Sequence, residues 1–223
     1  AYSEVGEVSH MLDAAEQRIF AIAEKRESKN FEKINDVLTR VYAHLELISK
    51  DKSAIKGTAT GFSGIDRVLV GMGDSDLVLV GARPGMGKTS FCLNIGTNVA
   101  KATNKAVAIF SLEMSSDQLV QRVLSSEAMV ESNALRSGNL SEEDWVKLAH
   151  AASELAECDI LIDDTTGQTI TGMKAKLRRV KNLGLVIIDY LQLMNSDRKI
   201  DNRVQEVADI SRNLKIMAKE LNV

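Results

Sequence analysis

The sequence predicts an α/β fold in which a mostly parallel sheet is flanked by helices and preceded by an amphipathic helix. Three observations carry this reading. Short apolar runs rich in Val, Ile and Leu do not alternate with polar residues, as suits strands buried on both faces of a parallel sheet. Segments of helical periodicity separate these runs, so strand and helix alternate along the chain. A glycine-rich turn ending in Lys-Thr sits between one such run and a helix. One proline and 4% aromatic residues also favour helices packed on aliphatic strands over a turn-rich β-sandwich.

The elements follow in order. Val8, Met11, Leu12, Ala15, Ile19, Ile22 and Ala23 fall at helical spacing and form one apolar stripe, which the polar segment 25–30 interrupts. Such a stripe can pack on its own domain or on a neighbouring subunit, and the spacing does not choose between them. A second amphipathic helix is expected over Phe31–Ile48, with Phe31, Ile34, Val37, Leu38, Val41, Leu45 and Ile48 on one face and Asn30 as its N-cap. Residues 50–61 read as a loop. Strands are expected at Leu77–Gly81, Ala106–Phe110, Ile160–Ile162 and Leu185–Ile188. Helices are expected at Thr89–Ala102, Asp117–Met129, Glu142–Glu157, Thr171–Asn182 and Arg203–Leu221. Ser141 and Asp144 form a capping-box pair, and Glu142 and Glu143 suit the positive end of that helix. Right-handed crossovers between the parallel strands give a doubly wound sheet.

A length of 223 residues accommodates one α/β domain and an appendage. Hydrophobic residues make up 44% and charged residues 26%, the balance of a chain that buries a core. The net charge of −3 provides no global basic field, so any contact with nucleic acid must come from a local patch. Cys92 and Cys158 lack metal-type spacing and read as buried thiols of a reducing cytosol. There is no signal peptide and no apolar run of transmembrane length, so the expected location is the cytoplasm, away from any membrane.

Ala82-Arg83-Pro84-Gly85-Met86-Gly87-Lys88-Thr89 fits the phosphate-binding loop pattern, with Ala82 where glycine is commoner. Gly85 and Gly87 let the backbone curl so that successive N–H groups point at phosphate oxygens. The following helix adds its N-terminal amides and partial positive charge, with Ser90 in its first turn. Lys88 reaches the β- and γ-phosphates, and the Thr89 hydroxyl can ligate Mg²⁺. These residues predict use of ATP with Mg²⁺.

Asp189 ends the run Leu185–Ile188, where an acid would hold Mg²⁺. A strand-end aspartate can also cap an ordinary turn, but its company with a phosphate loop selects the metal role. Glu113 follows the run Ala106–Phe110 at the carboxyl end of a parallel strand, where ligands bind in open α/β sheets. There it could polarise the water that attacks the γ-phosphate, or be a plain surface acid. Asp163 and Asp164 compete for the same role, although Thr165, Thr166 and Gly167 beside them read as a turn leading into a helix.

With these residues placed, the sequence resembles the replicative DNA helicases of the DnaB family, whose motor has a RecA-like fold. The resemblance spans essentially the whole chain. It rests on Thr60-Gly-Phe-Ser-Gly-Ile-Asp66, the loop at 81–89, Phe110-Ser-Leu-Glu-Met114, Arg136-Ser-Gly-Asn-Leu140 with Trp145, and Ile188-Asp-Tyr-Leu-Gln-Leu-Met194. Asn202-Arg203, Ile210-Ser-Arg212, Leu214-Lys215 and 218–222 complete it. The resemblance implies that Lys88 and Thr89 bind nucleotide and metal, that Glu113 is the catalytic base, and that Asp189 assists the metal. It implies ATP-driven movement on single-stranded DNA and unwinding at the replication fork, with primase and a helicase loader as partners.

The same resemblance assigns residues 1–27 to a linker region whose helix, through Val8, Met11, Leu12, Ala15, Ile19 and Ile22, docks on the adjacent subunit of a homo-hexamer. Residues 28–223 are then the RecA-like ATPase domain. The loop 195–203 would face the central channel, where Arg198, Lys199 and Arg203 could grip a phosphate backbone. In the family the pattern continues beyond Val223 into a further core strand, a second DNA-facing loop and an arginine finger. That strand lies between the phosphate-loop strand and the Asp189 strand, so a gap in the sheet is expected here. Two other readings share the phosphate loop: a RecA-like ATPase that binds DNA without unwinding it, and a scaffold without enzymatic activity. The first should lack the linker helix and the run after Asp189, and the second needs none of the four site residues.

Overall fold

The computed structural model describes residues 31–50, 57–196 and 202–223. The chain divides into two units, Ala1–Ala54 and Ile55–Val223. In the first, helix α1 (Ile34–Lys50) leaves its stripe Ile34, Leu38, Val41 and Leu45 exposed. It begins later than the spacing predicts, so Phe31 precedes it, while the expected cap Asn30 and the stripe 8–23 lie outside the described residues.

The second unit is built on three parallel strands, β1 (Ala106–Ser111), β2 (Ile160–Asp163) and β3 (Leu183–Asp189), in the order β2-β1-β3. The central strand β1 is buried along its whole length, which explains why its sequence is continuously apolar. Its helices are α2 (Ser63–Leu69), α3 (Lys88–Thr103), α4 (Ser116–Ala128), α5 (Ser132–Ser137), α6 (Glu142–Ala156), α7 (Ile170–Leu177) and α8 (Arg203–Leu221).

The two faces of the sheet are covered separately. Leu93, Ile95, Val99 and Ala100 of α3 pack with Val107 and Ile109 of β1 and Leu185 and Ile187 of β3. On the other face, Ala108 and Phe110 meet Met173 and Leu177 of α7 and Ile210, Leu214 and Met217 of α8. This is helix–sheet–helix layering, and it backs both faces of the sheet with rigid elements. A satellite cluster of Ala128, Val130, Leu148 and Ala151 ties α4 to α6. Lys101 of α3 reinforces that group, pairing with Glu127 and Glu154.

The local expectation at Ser141 holds. Ser141 accepts from the Asp144 amide, and the Asp144 side chain accepts from the Ser141 amide, closing the expected capping box. The Ser141→Ala variant is expected to lose about 1 kcal/mol of unfolding free energy, read from the midpoint of a urea titration. A second capping box, Ser115 with Gln118, starts α4.

Four features differ from the sequence reading. Residues Leu77–Gly81 pair with no strand among the described residues, and Val78, Leu79 and Val80 are 47%, 68% and 38% exposed. Strand propensity becomes a strand only where a neighbour offers a ladder, and among the described residues β3 is bonded on its β1 side alone. Helix α7 stops at Leu177, its last core residue, rather than at Asn182, which adopts a left-handed turn and donates to the Asn104 carbonyl at 2.8 Å. The short helices α2 and α5 have too few turns to show periodicity. Cys92 and Cys158 are free thiols but only half-buried. No helix among the described residues is long and apolar enough to cross a membrane.

Candidate active site

The loop at 82–87 ends in Gly87, which caps α3 with φ 84°, and Gly85 also has a positive φ of 77°. An added Cβ at either glycine meets nothing within 4 Å, so glycine is required here by backbone conformation rather than by space. The 16-residue helix α3 then starts directly with Lys88 and Thr89, aiming its free amides at the loop. Packing of α3 on β1 and β3 fixes where these two side chains emerge.

They emerge at the end of β3. Lys88 Nζ lies 2.9 Å from Asp189 Oδ1, and the Thr89 hydroxyl donates to Asp189 Oδ2 at 2.5 Å. The structure therefore brings together three residues that the sequence singles out separately. The Asp189 side chain is 8% exposed and that of Lys88 27%, so the ion pair is shielded from water. Burial pushes the thiol of Cys92, one turn along α3, above its ordinary value, with the Asp189 charge acting the same way and Lys88 opposing. The thiol is thus an uncharged packing group.

Glu113 emerges at the same end of the sheet. Ser111 pairs in register with Asp189, and the Leu112 amide donates to the Asp189 carbonyl at 2.8 Å. The Ser111 hydroxyl donates to the Met114 carbonyl at 2.6 Å, turning the chain so that Glu113 stands exposed. Arg83, Pro84, Met86 and Ser90 flank the loop, with Arg83, Pro84 and Met86 exposed. Beside Ser90 opens a groove of about 530 Å³, lined by Leu93, Asn94, Met114, Gln118 and Arg122 among others.

The competing acids are occupied elsewhere. Asp163 accepts from Lys176 at 2.5 Å, Gln168 Nε2 at 3.1 Å and the Thr165 amide at 3.1 Å. Burial would raise its carboxyl, but the bonds to Lys176 and Thr165 outweigh this and hold it below the ordinary range. Asp164 accepts from the Ser116 amide at 2.8 Å in the first turn of α4, and that bond lowers its carboxyl too. Both acids organise turns. Of the basic loop, Arg198 and Lys199 lie outside the described residues. Arg203 pairs with Glu206 at 2.5 Å and donates to the Gln192 carbonyl, so its charge is partly spent within the chain.

Two features were missed from sequence. The Thr60–Asp66 segment is a brace: the Asp66 carboxylate accepts from the Thr60 amide and hydroxyl at 2.7 and 2.8 Å and from the Gly61 amide at 3.2 Å. Asn98 of α3 donates to the Thr60 carbonyl at 3.0 Å, and the rings of Phe62 and Phe91 stand 5.2 Å apart, tying this brace to the phosphate-loop helix. The other is Tyr190, whose ring centroid lies 4.2 Å from Lys88 Nζ; the Asp189–Tyr190 peptide bond is cis.

A hydroxyl and one carboxylate, both hard oxygen donors, suit Mg²⁺, which takes few protein ligands and relies on phosphate oxygens for others. No group of three or more His, Cys, Asp or Glu gathers among the described residues. Thr89 and Asp189 are therefore the residues that could hold this metal, and Lys88 with the α3 amides could hold phosphate.

The profile of the DnaB-like helicase C terminal domain family matches residues 57–223. The replicative DNA helicase DnaC of Bacillus subtilis is 46% identical over 226 residues, covering 100% of this chain and 50% of its own length. The replicative DNA helicase DnaB of Geobacillus stearothermophilus is 44% identical over the same span and covers 50% of its own length. The chain thus spans about half the length of these relatives. Among solved structures, one described as an ATPase domain aligns with a TM-score of 0.80 at 32% identity, covering 87% of this chain and 69% of that one. A DnaB-like replicative helicase, described with its interactions with primase, aligns at 0.75 and 30% identity, covering 99% of this chain and 57% of that one. These likenesses agree with the expected RecA-like fold class.

Proposed function

Because this chain belongs to the family of DnaB-like helicase C-terminal domains, we propose that it is the ATP-hydrolysing motor of a replicative DNA helicase. The observation that carries the reading is Asp189, whose two oxygens meet Lys88 and Thr89. Neither a fold brace nor a docking scaffold needs a shielded acid, a lysine and a hydroxyl at the tip of a glycine-rich loop.

In this reading Lys88 and the first amides of α3 bind the phosphates of ATP, with Arg83, Pro84, Gly85, Met86, Gly87 and Ser90 shaping the cradle. Thr89 and Asp189 would hold Mg²⁺, which when bound screens the phosphate charge and orients the chain of phosphates. Glu113 takes the proton from the attacking water. Its exposure and its lack of any ion pair among the described residues leave the carboxylate free for that task.

The remaining assignments belong to the same proposal. Residues 1–27 act as a linker whose apolar stripe (Val8, Met11, Leu12, Ala15, Ile19, Ile22) docks on a neighbouring subunit of a homo-hexamer, and 28–223 form the motor. Arg198, Lys199 and Arg203 contact single-stranded DNA, with Arg203 also paired with Glu206 and donating to the Gln192 carbonyl. Primase and a loader are its partners, and the cytoplasm is its location.

The test is unwinding of a forked DNA by the full-length protein. Strand separation is expected with ATP and Mg²⁺ and not with ATP and excess chelator. ATP hydrolysis by an assembled ring with no strand separation would instead identify an ATPase that binds DNA without unwinding it.

A further inference from the structure

The geometry points to Tyr190 as a positioning residue for Lys88: its ring face holds the lysine ammonium at the phosphate loop, and it acts on nucleotide only through that lysine. The inference rests on reading Lys88, Thr89 and Asp189 as the nucleotide site.

Lysine is a flexible four-carbon stem ending in a point charge, and one contact fixes its distance from a partner but not its direction. Here the ammonium has two contacts, Asp189 Oδ1 at 2.9 Å and the Tyr190 ring centroid at 4.2 Å. The second is well within the range over which a ring quadrupole attracts a cation. The carboxylate is itself held from its other side, where the Thr89 hydroxyl donates to Oδ2 at 2.5 Å. The backbone that carries the ring is held on both sides. On its N-terminal side the chain is held by the pairing of β3 with β1 and by the bond from the Leu112 amide to the Asp189 carbonyl. On its C-terminal side the turn Leu191–Leu193 closes back on Tyr190, the Leu193 amide donating to the Tyr190 carbonyl at 3.0 Å. Leu191 and the fully buried Met194 then anchor that turn in the core.

The Tyr190 side chain meets Lys88 through its ring face. An aromatic ring of any kind should therefore serve, and an aliphatic side chain of similar bulk should not. The binding affinity of a fluorescent ATP analogue with Mg²⁺ for the full-length protein tests this. Tyr190→Leu is expected to raise Kd about three- to tenfold, the span of a partly shielded cation–π contact. Tyr190→Phe should rescue it to within about twofold of the native value, since it keeps the ring face. In a Lys88→Ala background, Tyr190→Leu should change Kd less than about twofold, because no ammonium is left to hold.

A ring that merely supports the fold weakens binding by the same factor in both backgrounds, and that equality overturns the proposal. An unchanged Kd in Tyr190→Leu, alongside weakened binding in Lys88→Ala, overturns it as well and leaves the nucleotide site standing. If Lys88→Ala itself binds as tightly as the native protein, the nucleotide site is misassigned and the inference falls with it.

Discussion

Glu113→Gln is expected to reduce single-turnover ATP hydrolysis by about 10²- to 10⁴-fold while changing nucleotide affinity less than about twofold. The amide matches the carboxylate in size and shape but cannot accept a proton at neutral pH. Affinity should survive because the binding cluster is assembled without Glu113: Lys88 and Thr89 are both held by Asp189. The glutamate reaches the site only by backbone placement, two residues beyond the Ser111–Asp189 pair. Rapid-quench hydrolysis with parallel titration of a nucleotide analogue separates the two quantities. Hydrolysis within about tenfold of the native rate would remove Glu113 from the role of base. Asp163 and Asp164 would be poor replacements, since each is held by partners that lower its proton affinity.

The residues of the candidate site were legible in the sequence because each is dictated by a local rule. Gly85 and Gly87 are demanded by positive φ, Lys88 and Thr89 by their offset from those glycines, and Asp189 by its place after an apolar run. The three strands that form were legible because β1 is buried end to end and its neighbours pack helices on both faces. What escaped was whatever depends on a distant partner. The ring of Tyr190 meets Lys88 only because β3 and α3 end side by side, a fact of tertiary packing. Asp66 looks like one more acid in a loop until its carboxylate is seen gathering Thr60 and Gly61. Leu77–Gly81 has the composition of a strand but pairs with no strand among the described residues, because a ladder needs a neighbour that composition does not reveal.

Lys88→Ala should show two separable losses. Catalytic efficiency with ATP should fall about 10²- to 10³-fold, the scale of removing one preorganised positive group from a developing phosphate charge. The second loss is in the protein itself. Asp189 keeps the hydroxyl of Thr89 but loses its ion-pair partner at a position where its side chain is only 8% exposed. Orphaning a fully buried charge costs about 3–5 kcal/mol. Lys88 is 27% exposed, so water relieves part of that and about 1–3 kcal/mol is expected from denaturant unfolding. The cause can be isolated by adding Asp189→Asn to Lys88→Ala. Removing the stranded charge should recover most of the lost stability and none of the lost catalysis, because an amide at 189 is a weaker metal ligand. Stability that stays low in the double variant would trace the loss to missing packing of the lysine stem instead. Restored hydrolysis in the double variant would contradict the assignment of Lys88 to the phosphates and of Asp189 to the metal at once.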